Sequence, residues 1–193
     1  MTMDLPPYLH ERVTCSISAA VQYGIPANIM LAVAEKEGGK AGQWVRNANG
    51  SHDVGPLQFN TAYLRQLSGY GITAADVAAA GCYPYRLAAW RLRQHIKHDG
   101  GDLWTRCANF HSRTPRFNAK YREDLVRKSG KWAQWLVAGY PTQSFVTRPG
   151  TASNVLPGTV PVQPDLSKPQ LQPKKALAKL PYVPRALTER GQP

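Results

Sequence analysis

The amino-acid sequence predicts a mainly α-helical domain followed by an extended tail. Over most of the first 139 residues, apolar residues recur at the three- and four-residue spacing of amphipathic helices. Ten of the 16 prolines fall in the final 53 residues, where no helical period survives. We therefore divide the chain into a domain at 1–139 and a Pro-rich, basic, largely disordered tail at 140–193.

The first two helices are predicted at 10–23 and 27–37. Gly24 ends the first, and Pro26 stands where the first turn of the second helix tolerates proline. The second helix has almost no polar face. A helix that is apolar all round is buried, so this helix should lie at the centre of the domain.

A short loop or hairpin is expected at 40–60, because Gly38 and Gly39 stop the second helix and turn formers follow them. Further helices are predicted at 61–67, 73–80, 85–97 and 102–110, with one or two more at 116–136. Thr73 and Asp76 have the spacing of a capping box. In the segment 85–97, the cations, among them Arg91, are expected mostly on other faces than the apolar residues.

Charge and hydropathy limit the possible partners. The formal net charge of +12 favours anionic partners such as nucleic acid, an anionic membrane face or an acidic polymer. No run of eighteen apolar residues predicts a membrane span. The first fifteen residues lack a basic n-region and an apolar h-region, so we expect no Sec signal peptide and leave the export route open.

Cysteine and histidine spacing predicts no metal site, and no cofactor is expected. Cys15, Cys82 and Cys107 lack CxxC spacing; two of them can pair in an oxidising compartment, or all three are buried reduced thiols. His95 and His98 are three residues apart with no third ligand, so we expect them on a solvated face.

Glu37 is the candidate catalytic acid. Helical steps back from it reach Ala34, Val33 and Met30, and apolar surroundings raise a carboxyl pKa. The negative end of the helix dipole acts in the same direction. A carboxyl protonated near neutral pH is what cleavage of a glycosidic bond requires of its proton donor. The alternatives are a solvated surface Glu, and Glu35, which points to nearly the opposite side.

Four segments resemble, in order and spacing, motifs of the soluble lytic transglycosylase family. They are Glu-Gly at 37–38, Gly-Pro-Leu-Gln at 55–58, Asn-Phe-His-Ser at 109–112 and Tyr121, matching the family's Glu-Ser, Gly-Leu-Met-Gln, Ala-Tyr-Asn and distal Tyr. The resemblance covers about residues 12–126. It is greater to the small members that accompany conjugation and type IV or type III secretion machines, and it implies a lysozyme-like helical domain.

This resemblance implies a peptidoglycan lytic transglycosylase in which Glu37 is the essential acid/base. Glu37 would protonate the glycosidic oxygen after N-acetylmuramic acid and then help the 6-hydroxyl close a 1,6-anhydro ring. Gln58 would hydrogen-bond the glycan, and Gly55 would allow close backbone approach. The implied substrate-binding residues are Gly55, Leu57, Gln58, Phe110, His111, Ser112 and Tyr121.

The chain departs from the family pattern at three positions. Gly38 stands where the family usually has Ser, Pro56 replaces the usual Leu, and Phe110 lacks the hydroxyl of the usual Tyr. The hydrogen bonds that Ser and Tyr give the glutamate must therefore come from elsewhere. The donors that the sequence offers are His111, Ser112 and Tyr121.

Asp53 separates two kinds of enzyme. If it faces the cleft and holds a water across the sugar from Glu37, the protein is an inverting muramidase similar to goose-type lysozymes, with carboxyls roughly 6.5 to 9.5 Å apart. The alternative, which we favour on turn chemistry, is that Asp53 caps the turn at 49–53 through its own backbone.

The same resemblance implies a disulfide between Cys15 and Cys82, which would add ~3 to 4 kcal/mol of stability and place the protein in the periplasm or cell envelope. Cys107 would then be a buried free thiol. Among the aromatic residues, Trp44 is the expected ligand contact. The tryptophans expected in the core are Trp90, Trp104, Trp132 and Trp135.

The expected partner is the peptidoglycan strand, bound by a monomer. The tail is a spacer, a docking segment for secretion or conjugation machinery, or a tether to anionic wall polymer. A non-catalytic module that binds peptidoglycan is a second hypothesis. A nucleic-acid binder is suggested by charge alone, and since no base-reading motif is present we expect no nucleic-acid partner.

Overall fold

The structure, a computed structural model, describes residues 7–139, so the tail predicted at 140–193 lies outside the described residues. The described residues form seven α-helices and three short strands, which confirms the mainly α fold class. Helices α1 to α7 span Pro7–Tyr23, Ala27–Glu37, Thr61–Leu67, Ala74–Ala78, Tyr83–His98, Leu103–Ala108 and Pro115–Gly139. Within this range, no helix has both the length and the apolar character that crossing a bilayer requires.

Helix α2 is the centre of the domain. Six consecutive residues, from Ile29 to Ala34, are buried, as its lack of a polar face predicted. It packs against α1 on one side and against α7 on another, and α1 packs in turn against α5. The last residue of α2, Glu37, emerges from this buried helix into the candidate site.

The helix boundaries lie within three residues of the predicted ones, and those of α6 have local causes. Helix α6 begins one residue later than predicted, because the Asp102 side chain accepts from the Thr105 backbone N–H at 2.9 Å and caps it. It also ends at Ala108, since residues 109–111 form a turn. The capping box of α4 is present, with Thr73 and Asp76 bonded reciprocally.

Between α2 and α3, the chain forms a three-stranded antiparallel sheet in the order β1-β2-β3. The strands are Trp44–Arg46, His52–Val54 and Phe59–Asn60. Asp53 pairs with Val45 on one side and with Asn60 on the other. The expected hairpin is thus β1 and β2, to which β3 adds a third strand.

Two glycines join α2 to this sheet. Gly38 ends the helix in the left-handed region, at φ 61, and its N–H bonds to the Ala34 carbonyl at 3.2 Å. Gly39 donates to the Pro56 carbonyl at 3.1 Å, and a Cβ there would lie 2.2 Å from the Gly55 oxygen. The turn at 55–58 therefore sits directly on the end of α2 and fixes the position of Glu37.

A disulfide links α1 to the residue that precedes α5. Cys15 and Cys82 are bonded, with Cα atoms 4.8 Å apart across 67 residues of sequence, which confirms the predicted pair. Cys107 is a buried free thiol, also as predicted, and burial raises its pKa to about 12.

Candidate active site

Glu37 and Tyr121 form the centre of the candidate site. The Tyr121 hydroxyl donates to Glu37 Oε1 at 2.7 Å, and this tyrosine on α7 is only 3% exposed. The expectation that Tyr121 approaches the acid from the last helix is confirmed. Tyr121 thereby supplies the hydrogen bond to Glu37 for which the sequence offered three possible donors.

A cavity of about 320 Å³ opens beside this pair. His111, predicted as its wall, stacks on the Tyr121 ring with centroids 4.8 Å apart and ring planes 5° apart. The full lining is Lys36, Glu37, His111, Phe117, Lys120 and Tyr121. Apart from Glu37, every charged group in this lining is cationic, so the cavity suits a ligand that carries negative or polar groups.

The pKa of Glu37 is raised from 4.5 to about 7. The largest cause is burial, which disfavours the carboxylate, and the negative charge of Asp53 acts in the same direction. The Tyr121 hydrogen bond and the nearby cation of Arg91 oppose the rise. The net result is a carboxyl group that is about half protonated at neutral pH and can therefore donate a proton.

Asp53 lies on the face of the sheet opposite the core and acts on this acid electrostatically. Its neighbour Val54 is fully buried, so strand alternation turns Asp53 to the opposite face. Its carboxylate accepts from Asn60 Nδ2 at 2.8 Å, and its charge raises the pKa of Glu37 and counteracts the lowering of the His111 pKa by burial.

The favoured expectation for Asp53, that it caps the turn before β2, is wrong. That turn is closed by Asn49, whose Oδ1 accepts from the Ser51 backbone N–H at 3.1 Å and from the Ser51 hydroxyl at 2.7 Å. Asp53 is two residues further on, inside the strand, where its backbone is used for pairing.

Glu35 is engaged away from the cavity. It forms an ion pair with Lys128, and it accepts from Trp132 Nε1 at 2.7 Å. Both partners lie on α7, so Glu35 ties α2 to α7. Of the two acids near the end of α2, Glu37 is the one that lines the cavity.

The segment Gly-Pro-Leu-Gln builds the turn, and two of its residues cannot contact a substrate as expected. Leu57 is 1% exposed and belongs to the core. A Cβ on Gly55 would lie 2.0 Å from the Val77 carbonyl oxygen, so the close approach that this glycine allows is to α4. Gln58 remains partly exposed, and its Nε2 donates to the Gly55 carbonyl at 2.8 Å.

Phe110 and Ser112 do not line the cavity beside Glu37, contrary to expectation. Phe110 is 3% exposed and packs its ring against the Arg91 guanidinium, 4.7 Å away. The Ser112 hydroxyl accepts from the Thr114 backbone N–H at 3.1 Å in the turn that leads into α7. Phe110, His111 and Ser112 are consecutive residues of one motif. The motif therefore predicted their common region, but it did not predict that His111 is the one that lines the cavity.

Arg91 is the functional candidate that sequence reasoning missed. Its guanidinium carbon lies 4.1 Å from the Tyr63 ring centroid and 4.7 Å from that of Phe110. Helical spacing could have identified it, because Arg91 follows the fully buried Leu87 and Ala88 by four and three residues and so lies on the same side of α5. Its positive charge led us to expect it on a solvent-facing side of the helix instead.

The sequence resembles those of known proteins. No family model matches the chain. Protein IpgF of Shigella sonnei is 30% identical over 127 residues, which span 63% of this chain and 82% of the relative.

The chain belongs to the IpgF family. Protein IpgF of Shigella flexneri is 29% identical over 122 residues, which span 61% of this chain and 80% of the relative. The match therefore covers about four fifths of the length of each relative.

The remaining aromatic and histidine predictions can be placed on this IpgF-family domain. Trp90, Trp104 and Trp132 pack against the core as predicted, whereas Trp44 is 51% exposed on β1. Trp135 packs edge-on against Trp132, with ring centroids 5.4 Å apart.

His95 is a correction to the expected solvated face. It is buried on α5, and its Nδ1 lies 2.7 Å from Asp99 Oδ2. His98, on the same helix, is exposed as expected. The carboxylate of Asp99 partners the ring of His95, which explains how a polar side chain is tolerated at this buried position.

Proposed function

We propose that the protein is a peptidoglycan lytic transglycosylase that cleaves the glycosidic bond after N-acetylmuramic acid and leaves a 1,6-anhydro product. The observation that carries the proposal is Glu37, a carboxyl at a cavity with its pKa raised to about 7. The motif resemblance of residues 37–38, 55–58 and 109–112 supports the substrate class.

The mechanism needs one group that acts first as an acid and then as a base. Protonated Glu37 donates its proton to the glycosidic oxygen as the bond to the sugar's C1 breaks. The resulting carboxylate then takes the proton of the 6-hydroxyl of the same sugar as that oxygen attacks C1. The Tyr121 hydroxyl stabilises the carboxylate in the interval and holds it in one orientation.

Asp53 favours a second candidate function, hydrolysis by a muramidase. Its carboxylate is fixed by Asn60 on the face of the sheet that affects Glu37 electrostatically. A carboxylate across the sugar from the acid can activate a water, or it can stabilise positive charge at C1. Both routes share Glu37 as the acid, so the products distinguish them.

The Cys15–Cys82 disulfide supports a periplasmic or envelope location, because such bonds persist in oxidising compartments. In this setting the activity would open the cell wall locally for a conjugation or secretion apparatus, as the motif resemblance implies. A module that binds glycan without cleaving it is the non-enzymatic alternative.

The test is digestion of purified peptidoglycan with mass spectrometry of the soluble products. We expect 1,6-anhydromuropeptides, and we expect Glu37→Gln to reduce their release about 10²- to 10⁴-fold, the usual contribution of a positioned acid or base. Glu35→Gln is the matched control, because it makes the same change two residues away on a side chain that faces α7.

Each other outcome leads to a different conclusion. Products with reducing ends would replace the transglycosylase by the muramidase. Equal losses from both glutamine variants would reject Glu37 as the specific acid. Glycan binding without turnover by the unaltered protein would support the binding module.

A further inference from the structure

A second cavity, of about 470 Å³, lies between α3 and α5. We call it the Arg91 pocket; its polar or charged lining residues include Asn60, Arg91, Gln94 and Arg113. No Asp or Glu from the described part of the chain lines it. The pocket therefore presents two guanidinium groups and amides to a ligand; Asp99, outside the lining, engages Arg113, and no acidic side chain of the lining engages Arg91.

Two aromatic rings contact Arg91 in this pocket. Its guanidinium carbon lies over the rings of Tyr63 and Phe110, at 4.1 and 4.7 Å from their centroids. A guanidinium that packs on aromatic faces does not use its N–H donors in these contacts. The donors of Arg91 are therefore available to a ligand.

No carboxylate contacts Arg91 directly within the described domain. Among residues 7–139 it makes no ion pair and no hydrogen bond; Glu37 acts on it through space, and burial lowers the pKa of Arg91. Arg113, by contrast, donates to Asp99 at 2.9 Å. Removing a cation from water without a partner is costly, and an anion bound in the pocket would offset that cost.

The Arg91 pocket is adjacent to Glu37. The Phe110 ring, 4.7 Å from the Arg91 guanidinium, belongs to the residue next to His111, and His111 lines the cavity beside Glu37. Arg91 also lowers the pKa of Glu37 through space. Asn60, on the rim of the pocket, donates to Asp53, which acts on the same carboxyl in the opposite direction. A glycan strand with its scissile bond at Glu37 would therefore place a neighbouring sugar or its substituent at the pocket.

We propose that the Arg91 pocket binds a carboxylate carried by the glycan strand and makes the protein select acidic over neutral glycans. The inference rests on the proposed action on peptidoglycan. A muramyl residue carries a lactyl group that either ends in a free carboxylate or continues into a stem peptide with carboxylates of its own. A planar guanidinium binds either source bidentately.

Isothermal titration calorimetry with the full chain carrying Glu37→Gln tests this directly, because no ligand is consumed. The three ligands share one tetrasaccharide of alternating N-acetylglucosamine and N-acetylmuramic acid. Its lactyl carboxylates are free, converted to methylamides, or extended by stem peptides. We expect the methylamide to bind at least about tenfold more weakly than one or both acidic forms, as the loss of a charge-assisted contact requires.

Substitution of Arg91 locates the effect. Arg91→Met added to Glu37→Gln should reduce the acid-over-amide ratio to near one, because the acidic ligands lose more affinity than the methylamide. Arg65→Met, on an exposed position of α3 outside the pocket lining, removes the same charge and should keep the full ratio. Arg91→Lys retains the charge but lacks the planar fork, so an intermediate ratio is expected.

The outcomes separate this inference from the proposed function. Equal affinity for the acid and the amide in the parent protein overturns the pocket assignment, even if Arg91→Met fails to fold. A ratio that survives Arg91→Met also overturns it. Absence of binding to every glycan rejects the proposed function as well. Preference for the free acid identifies the lactyl group, and preference for the stem-peptide form alone identifies the peptide; both support the pocket.

Discussion

The hydrogen bond between Tyr121 and Glu37 sets a pH limit on any reaction in which Glu37 is the acid. The bond stabilises the carboxylate and so lowers the pKa of Glu37. Tyr121→Phe removes it, and the pKa of Glu37 rises. We expect the alkaline limb of the kcat/KM profile to move to higher pH, with a lower plateau because the acid is less well oriented.

The matched control for Tyr121→Phe is Tyr70→Phe, which removes the same hydroxyl outside the cavity lining. Tyr70→Phe should leave the alkaline limb of the kcat/KM profile at the same pH as in the unaltered protein. An alkaline limb that stays fixed in Tyr121→Phe would mean that another group controls the profile.

The burial of Glu37 also has a consequence for stability. Its folded pKa of about 7 lies above the ordinary value of 4.5, so the folded state binds more protons between these values and loses stability as pH rises through them. Glu37→Gln keeps the shape and removes the titration. We expect its unfolding free energy to exceed that of the unaltered protein by up to about 3 kcal/mol at pH 8.

Urea unfolding at pH 4 and pH 8 measures this difference. The extra unfolding free energy of Glu37→Gln should be near its minimum at pH 4, because the Glu37 carboxyl of the folded, unaltered protein is protonated there. A gain that is the same at both pH values would contradict the raised pKa of Glu37.

For individual residues of the site, Glu37, His111 and Tyr121 were correctly predicted from the sequence to be neighbours. The apolar steps behind Glu37 predicted a buried acid, and the motif resemblance implied His111 and Tyr121 beside it. The orientation of each motif residue was not predictable, because Leu57 and Phe110 turn into the core through contacts with distant elements. Arg91 was missed for the same reason, since the Tyr63 and Phe110 rings that hold it come from two other segments.

Among the structural elements, the contact between the end of α2 and the turn at 55–58 decides where Glu37 lies relative to the sheet. A methyl group on Gly39 would lie 2.2 Å from the Gly55 oxygen and 2.5 Å from Gln58 Nε2. Gly39→Ala therefore forces the turn away from α2. We expect a loss of about 1 to 3 kcal/mol in unfolding free energy, with reduced glycan cleavage.

Gly130→Ala is the control for this contact. Gly130 lies within α7 with nothing within 4 Å of the added carbon, so alanine should stabilise the protein by about 0.5 to 1 kcal/mol through helix propensity. Equal destabilisation by the two substitutions would show that the Gly39 contact is not tight.

Helices were predictable from the sequence to within a few residues, but the sheet was not. A helix of eleven residues repeats its apolar period three times, which makes it recognisable. The strands contain three, three and two residues, which is too short for an alternating pattern to be distinguished from a loop. Their pairing nevertheless turns Asp53 away from the face on which Val54 is buried.

For the molecule as a whole, the Cys15–Cys82 disulfide is the main covalent contribution to stability. It closes a loop of 67 residues that contains α2, the sheet, α3 and α4. In the chain-entropy model such a bond stabilises by about 4 kcal/mol. We expect Cys15→Ala with Cys82→Ala to lower the unfolding free energy by about that amount in urea.

A reducing agent provides the internal control for the disulfide. It should destabilise the unaltered protein to the level of the double variant and leave the double variant unchanged. Cys107→Ala should retain the response to reduction, because this thiol is free. A double variant that is as stable as the oxidised protein would show that the bond contributes nothing.

The partnership between Glu37 and Tyr121 spans 84 residues of sequence. During biosynthesis, a chain that has emerged only through α6 already carries Glu37 but lacks the helix that covers it. Its carboxyl is then more hydrated, so its pKa lies closer to that of an ordinary glutamate and it is more ionised at neutral pH. The protonated form of Glu37 is therefore fully favoured only when the last helix docks, so an unfinished or truncated chain is a poorer proton donor.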